Sequence, residues 1–336
     1  MPQRDLIPFA EATLGVTLSA VAELSGGGSS RRYFRLRWAT GTAVGVIAKE
    51  RAELRAFLAF TRHFAARGIP VPQLLGADEA RGVYLQSDLG DATLCDRLAQ
   101  WRAAGRHAAA QGALETALRW LPVIQVRGGA GLDYTLCPEG DELGAAAYRA
   151  DVELFLTEFV PRHAPHLAPG ESVRRDLETL VQRLGALPRP HFCYRDFQTR
   201  NIMWPGGGPV FIDYQSGRRG TLAYDVASIL FSPDSGLDAP GRERLIDVYL
   251  AALADCGEHP GREAFLAGFH ALVLLRRLQA LGAYARIARV KHSDPYRERI
   301  APALATLHGL LAAGQLRFGL PDLESWLARL CAPHPG

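Results

Sequence analysis

Asp196, Asn201 and Asp213 are the residues of this chain whose types and order can do chemistry. An apolar lead-in, His191-Phe192-Cys193, runs into Tyr194-Arg195-Asp196-Phe197-Gln198-Thr199-Arg200-Asn201, so Asn201 stands five positions after Asp196. A short strand expected at Val210-Phe211-Ile212 then presents Asp213 at its end. A carboxylate beside an attacking hydroxyl, plus two oxygen ligands for the Mg²⁺ of a nucleotide, is a sufficient set for phosphoryl transfer. In that assignment Asp196 accepts or orients the proton, Asn201 and Asp213 hold the metal, and Arg200 touches a substrate or phosphate oxygen.

Taken singly, each of these residues is explained by turn chemistry, because Asp and Asn side chains hydrogen-bond their own backbone in loops. The ordered set is harder to dismiss. Protein kinases use the same layout, an H-R-D-x-x-x-x-N loop followed by an Asp at a strand end, and Tyr194 stands here where that motif has His. Arg195 is expected to pair with an acidic group that holds the loop. Asp225 opens the apolar helix Val226 to Phe231 as an N-cap or a brace, and serves as structural support.

The elements that must position these groups read in chain order as a small sheet and then helices. A leading helix from about Asp5 to Leu14 and a strand over Val16–Leu24 precede Ser25-Gly26-Gly27-Gly28-Ser29-Ser30, a turn whose backbone amides, with Ser29 and Ser30, can cover nucleotide phosphates. The strand Arg31 to Trp38 alternates, placing Arg32 on one face with Phe34, Leu36 and Trp38. A cation on an apolar face needs a partner, so Arg32 either meets a phosphate or carboxylate or snorkels to water at the sheet margin. A strand from Ala43 to Ala48 runs into Lys49, and a helix from about Glu50 to Arg67 stops at Gly68. Lys49 and Glu53 are the candidates for a phosphate-steadying lysine and its helix glutamate. Val83-Tyr84-Leu85-Gln86 closes the small lobe, and Gln86, Asp88 and Leu89 lie where a hinge would present backbone groups to adenine. The lobe boundary is expected near residue 90, giving a nucleotide-binding lobe over 1–90 and a catalytic and substrate-binding lobe over 91–336.

Beyond the hinge, Thr93 to Trp101, His107 to Val126, Ala145 to Val160 and Ser172 to Leu187 carry apolar residues at helical spacing. Asp133, Tyr134, Asp151 and Glu153 are candidates for an acceptor site, because carboxylates accept hydroxyl hydrogen bonds and aromatic faces pack on sugar rings. As solvated charges on a loop and a helix face they also need no explanation. The basic run Arg276, Arg277, Arg286, Arg289, Lys291 and His292 on the helix Phe265 to Arg289 reads as a solvated surface that adds a favourable field for anions.

Length and charge limit the alternatives. The 336 residues, 48% of them hydrophobic, exceed one compact domain, and 38 basic against 35 acidic residues leave no extended polyanion-binding surface. Nucleic acid is therefore not an expected partner. Five scattered cysteines without C-x-x-C spacing fit a reducing cytoplasm, and the N-terminus lacks the pattern of a secretory signal. No membrane partner is expected, since the most apolar run, Ala264 to Leu275, is too short and contains His270.

The motifs quoted resemble those of the aminoglycoside phosphotransferase-like kinases, and within them the bacterial anomeric sugar kinases acting on N-acetylmuramate and N-acetylglucosamine. The matching stretches are Arg32–Arg35, Gln86–Asp91, Arg195–Asn201, Ile212–Gln215, Tyr224–Ser228 and Arg277–Arg289 with Gly282 and Tyr284. The resemblance implies an α+β, two-lobed, protein-kinase-like fold. Its small N-terminal lobe would be an antiparallel sheet with one main helix, and its larger C-terminal lobe mostly helical. It also implies ATP and Mg²⁺ as cofactors and a small sugar as substrate, in a monomer or weak homo-oligomer. An aminoglycoside or other small-alcohol acceptor, and a nucleotide-binding pseudokinase, remain as alternatives.

Overall fold

A computed structural model describes residues 6–24, 31–316 and 318–331. Its N-terminal sheet has strands β1 (Ala20–Leu24), β2 (Arg32–Trp38), β3 (Gly41–Ile47), β4 (Leu74–Asp78) and β5 (Val83–Ser87), ordered β1-β2-β3-β5-β4. All neighbours are antiparallel. The helix α1 (Leu6–Leu14) closes one face, where its Leu6 and Ala10 pack with Phe34, Leu36, Ile47, Val83 and Leu85. The other face of β2 is covered as well, so Arg31 and Arg35 are also buried, at 6% and 9% exposure. That two-sided burial decides which arginines face the interior.

The helix α2 (Arg51–Ala65) buries Leu54, Phe57, Leu58, Phe60, Thr61 and Phe64 along one stripe and ends before Gly68, whose φ of +69° suits a residue without Cβ. The helix α3 (Leu94–Ala103) starts in a capping box between Thr93 and Asp96, which stabilises such an end by about 1 kcal/mol. The helix α4 (His107–Pro122) follows and passes into a wider π turn, Val123–Gly128.

Helical elements make up most of the remainder: α5 (Ala145–Leu154), α6 (Val160–His163), α7 (Glu171–Gly185), α8 (Leu222–Leu230), α9 (Ala239–Ala254), α10 (Arg262–Leu266), α11 (Phe269–Lys291), α12 (Asp294–Glu298), α13 (Ile300–Ala312) and α14 (Pro321–Leu330). The expected helix from Phe265 is two helices, broken at Gly268 with φ +77°. By length and composition Arg262–Lys291 could cross a membrane, but 61% of its apolar window is buried inside the protein. Its α11 packs against α5, α8 and α13 as a core helix.

Two compact units emerge, each discontinuous in sequence. One comprises Met1–Asp141 with Tyr194–Arg218, and the other Glu142–Cys193 with Arg219–Gly336. This partition differs from a single cut near residue 90, because residues 91–141 and the stretch 194–218 cluster with the N-terminal sheet.

Candidate active site

The antiparallel strands Ile202–Met203 and Val210–Phe211 carry the chemical residues. Ile202 pairs with Phe211, and the Ile212 amide donates to the Asn201 carbonyl at 3.0 Å. Asn201 and Asp213 therefore flank the same end of one ribbon. The Asn201 amide nitrogen donates to the Asp196 carbonyl at 2.8 Å, closing the loop from Asp196. With its nitrogen committed inward, the side-chain oxygen of Asn201 is the end left to face a cation.

Asp213 adopts φ +68° and Arg195 φ +70°, the left-handed region that costs a non-glycine residue about 1–2 kcal/mol. Asp213 is held there from several sides. Its Oδ1 accepts from Arg31 Nη2 at 2.6 Å and from Gln215 Nε2 at 2.9 Å, while the side chain keeps 39% of its surface exposed. The Tyr194 hydroxyl donates to the Ile212 carbonyl just before it. On the other side Tyr214 stacks on Phe57 of α2 with ring centroids 5.7 Å apart and meets the Thr61 hydroxyl at 2.5 Å. Since Thr61 donates its own proton to the Phe57 carbonyl, Tyr214 is the donor in that pair.

Arg195 is paired with Glu139, which also receives Arg218. Arg195 and Arg218 are largely buried, whereas Glu139 keeps 57% of its side-chain surface exposed. Burial works against the Glu139 charge, but the two guanidinium groups outweigh it and hold its carboxyl below the usual range. Arg200 lies half-buried in the single turn Thr199–Asn201 between Asp196 and the ribbon.

Several expectations are corrected here. Of the alternatives for Arg32, the sheet margin and a carboxylate partner hold and the phosphate role is not supported: it is 41% exposed, forms a two-pronged pair with Glu23 at 2.8 Å per contact, and covers the Phe34 ring. The inward cation is Arg31, one residue earlier, with Asp213 at 2.6 Å and Glu53 at 3.8 Å. Lys49 lies beyond the end of β3, is exposed, and makes no ion pair with Glu53 among the described residues. Burial pushes the Glu53 carboxyl up, and Arg31 only partly offsets this. Sequence reasoning passed over Arg31 because it treated one face of β2 as the buried one.

At the end of β5, Gln86 and Leu89 are half-buried, and Asp88 is clamped by Arg35 at 2.8 and 3.1 Å. Arg35 also reaches Asp91 at 2.8 Å, so the arginine of the Arg-Tyr-Phe-Arg stretch braces this segment. Ser29 and Ser30 lie outside the described residues. Asp133 is spent locally, accepting from the Thr135 amide at 3.1 Å and hydroxyl at 2.6 Å, and Tyr134 is buried with its hydroxyl on the Gly129 carbonyl. Turn chemistry accounts for both.

In the other unit, Asp151 is 3% exposed while Glu153 faces solvent, as residues two apart on a helix must diverge. Asp225 is not an N-cap. The helix α8 begins at Leu222 with Thr221 before it, and Asp225 sits inside, fully buried, with Cys193 Sγ 3.6 Å from its Oδ1. Gly220 is required beside it, since a Cβ there would lie 2.4 Å from the Cys193 Cβ.

A model of the phosphotransferase enzyme family matches residues 20–266. This chain belongs to that family. It is an ATP-dependent kinase by class. Among curated relatives, the N-acetylmuramate/N-acetylglucosamine kinase of Pseudomonas aeruginosa is 29% identical over 266 residues, 77% of this chain and 74% of the relative. The protein of the same name from Caulobacter vibrioides is 28% identical over 291 residues, covering 82% and 74%. Among solved structures, choline kinase LicA from Streptococcus pneumoniae superposes with TM-score 0.64 at 15% identity, over 90% of this chain and 98% of that one. The amicoumacin kinase hAmiN gives 0.62 at 12%, over 90% and 92%. These superpositions show the protein-kinase-like fold of the phosphotransferases.

Proposed function

We propose that this phosphotransferase transfers the γ-phosphoryl group of ATP to the anomeric hydroxyl of an amino sugar, N-acetylmuramate or N-acetylglucosamine, giving the sugar 1-phosphate. The observation that carries the reading is the pair of curated relatives of that name, each aligned over about three quarters of its own length. The acidic segment 133–142 supports a sugar over a cationic acceptor. Asp133 is committed to Thr135, Glu139 to Arg195 and Arg218, and Glu142 to Arg189, so those carboxylates already have partners.

The donor set fits Mg²⁺. Asn201 and Asp213 offer oxygen only, and among the described residues no cluster of three or more His, Cys, Asp or Glu forms an all-protein cage. Mg²⁺ characteristically takes one or two carboxylates and completes its shell with phosphates and water. When bound, it would neutralise charge on the transferring phosphates. Asp196 would orient the acceptor hydroxyl and take its proton, and Arg200 would steady a phosphate or substrate oxygen. Gln86, Asp88 and Leu89 would frame the adenine, with Arg35 fixing that segment. Arg31 would keep Asp213 aimed and offset the charge of Glu53, the partner expected for Lys49. Arg195 and Asp225 would act as support. The same reading puts the protein in a reducing cytoplasm, where its five cysteines, none in a disulfide, stay reduced.

The test is ATP consumption with Mg²⁺ against both sugars, their 1-O-methyl glycosides and a set of aminoglycosides. Turnover of the free sugars but not of the glycosides is the expected outcome. Turnover of aminoglycosides alone would replace this reading.

A further inference from the structure

Tyr214 follows Asp213 directly and is fully buried, with Phe57 stacked at 5.7 Å and Phe64 and Tyr194 edge-on at 5.2 and 6.2 Å. Three aromatic neighbours fix the ring, so a phenylalanine would pack there equally well. The hydroxyl is the part that packing leaves unexplained. It donates to Thr61 Oγ1 at 2.5 Å, and Thr61 is the only polar residue among those that α2 buries. A valine of the same shape would suit that apolar stripe, because a buried hydroxyl costs free energy unless it is bonded. Two hydroxyls are thus sunk in an apolar layer, and what they gain is a bond from the residue after Asp213 to α2.

The same helix reaches Asp213 by a second route. Glu53, eight residues before Thr61 and roughly 12 Å away along the axis, lies 3.8 Å from Arg31, whose Nη2 bonds Asp213 Oδ1 at 2.6 Å. The contacts close a circuit from the Asp213 carboxylate through Arg31 and Glu53 to α2, and back through Thr61 and Tyr214 to the Asp213 backbone. All of its members belong to one compact unit. Asp213 sits inside it at φ +68°, and a non-glycine residue keeps such a conformation only where its surroundings over-determine it. A conformation held this way is one that α2 can set, since the helix grips the side chain and the backbone separately.

We propose that the Tyr214–Thr61 hydrogen bond makes α2 the element that aims the Asp213 carboxylate, so that Tyr214 and Thr61 are positioning residues for the metal ligand. The inference rests on the reading of Asp213 as a ligand of the nucleotide's Mg²⁺. Both residues are buried and act through Asp213 rather than on the nucleotide.

Tyr214→Phe, Thr61→Val, Thr61→Ser and the Tyr214→Phe/Thr61→Val pair test it by two readouts, Tm without nucleotide and the Mg²⁺ dependence of calorimetric affinity for a non-hydrolysable ATP analogue. Tyr214→Phe strands no donor and should keep a Tm close to that of wild type. In it the Mg²⁺ concentration needed for half of the affinity gain should rise about 3- to 10-fold, the range of one hydrogen bond. Thr61→Val leaves the Tyr214 hydroxyl buried without an acceptor, so it should lower Tm as well, whereas Thr61→Ser should keep the wild-type Mg²⁺ response. The double variant decides. There the stranded hydroxyl is gone, so Tm should recover, and the Mg²⁺ response should stay weakened as in Tyr214→Phe. If instead the Mg²⁺ response recovers with Tm, or Tyr214→Phe never weakens it, the bond is structural only and the proposal is overturned. An Asp213→Ala protein whose affinity answers Mg²⁺ as wild type does would remove the metal reading, and the positioning role with it. Loss of that response in Asp213→Ala but not in Tyr214→Phe would remove the positioning role alone.

Discussion

Arg31 and Arg277 are both sealed from water, one beside β2 and the other on α11, yet their surroundings push them in opposite directions. Burial pulls the Arg31 pKa down, but the charges of Tyr33, Asp213, Tyr84 and Glu53 more than reverse it. Arg277 makes no ion pair among the described residues, and burial with the like charge of Arg276 outweighs the pull of Tyr284, Asp234 and Tyr224, bringing it to about 10. Burial thus sets the cost of a charge, and the partner decides whether the folded protein has met it. The contrast separates a buried cation matched by two carboxylates from one whose Nε has no hydrogen-bond partner.

If the first unit carries the chemistry, the largest effect belongs to Asp196→Asn, expected to lower kcat by about 10³-fold while leaving binding of Mg²⁺ with a non-hydrolysable ATP analogue intact. Full turnover in that variant would remove Asp196 from the reaction. Next comes Asp213→Ala, for which calorimetry should show loss of the Mg²⁺-dependent part of nucleotide affinity; affinity that still responds to Mg²⁺ as in wild type would end its metal assignment.

The two arginines then give effects of opposite sign in urea denaturation. Arg31→Met strands Asp213 and Glu53 without their cation and should lower stability by about 3 kcal/mol, whereas Arg277→Met removes an unmatched charge and should raise it. The same sign for both would erase the contrast. The smallest effect is that of Glu139→Gln. Because Glu139 keeps 57% of its side-chain surface exposed, water screens its pairs and the loss should be about 1 kcal/mol or less. Its carboxyl is held below 4.5, so this contribution is complete above pH 4.5 and fades as pH falls through the lowered pKa. Over that window the stability of Glu139→Gln should depend less on pH than that of wild type.

The turn from Asp196 to Asn201 and the strand before Asp213 were legible in the sequence because their residue types, order and strand-end placement are all local. The break at Gly68 was local too. What could not be read depended on distant partners. Glu139 lies 56 residues from the Arg195 it holds. Alternation along β2 correctly put Arg32 with Phe34, but Glu23 on the neighbouring strand draws Arg32 to the surface while the opposite face of the sheet buries Arg31. The strand β4 was missed because two prolines precede it and its pairing slips between Leu74 and Gly76. The run of basic residues on α11 read as a solvated face. In fact Arg276 and Arg277 are interior, while Arg286, Arg289, Lys291 and His292 are exposed, Arg289 pairing with Glu158 at 2.8 Å.

The left-handed backbone at Arg195 and Asp213 marks the entry and exit of the candidate catalytic stretch. Glycine and asparagine adopt that conformation with least cost, whereas β-branched residues scarcely adopt it. Position 195 therefore trades off an arginine for Glu139 against a relaxed backbone, and position 213 trades off a carboxylate against the same thing. Drift toward glycine would relax the backbone at either site, but at 213 it would also take the carboxylate from buried Arg31, so in a relative that has lost activity a gain in stability is expected from position 195 and a loss from position 213.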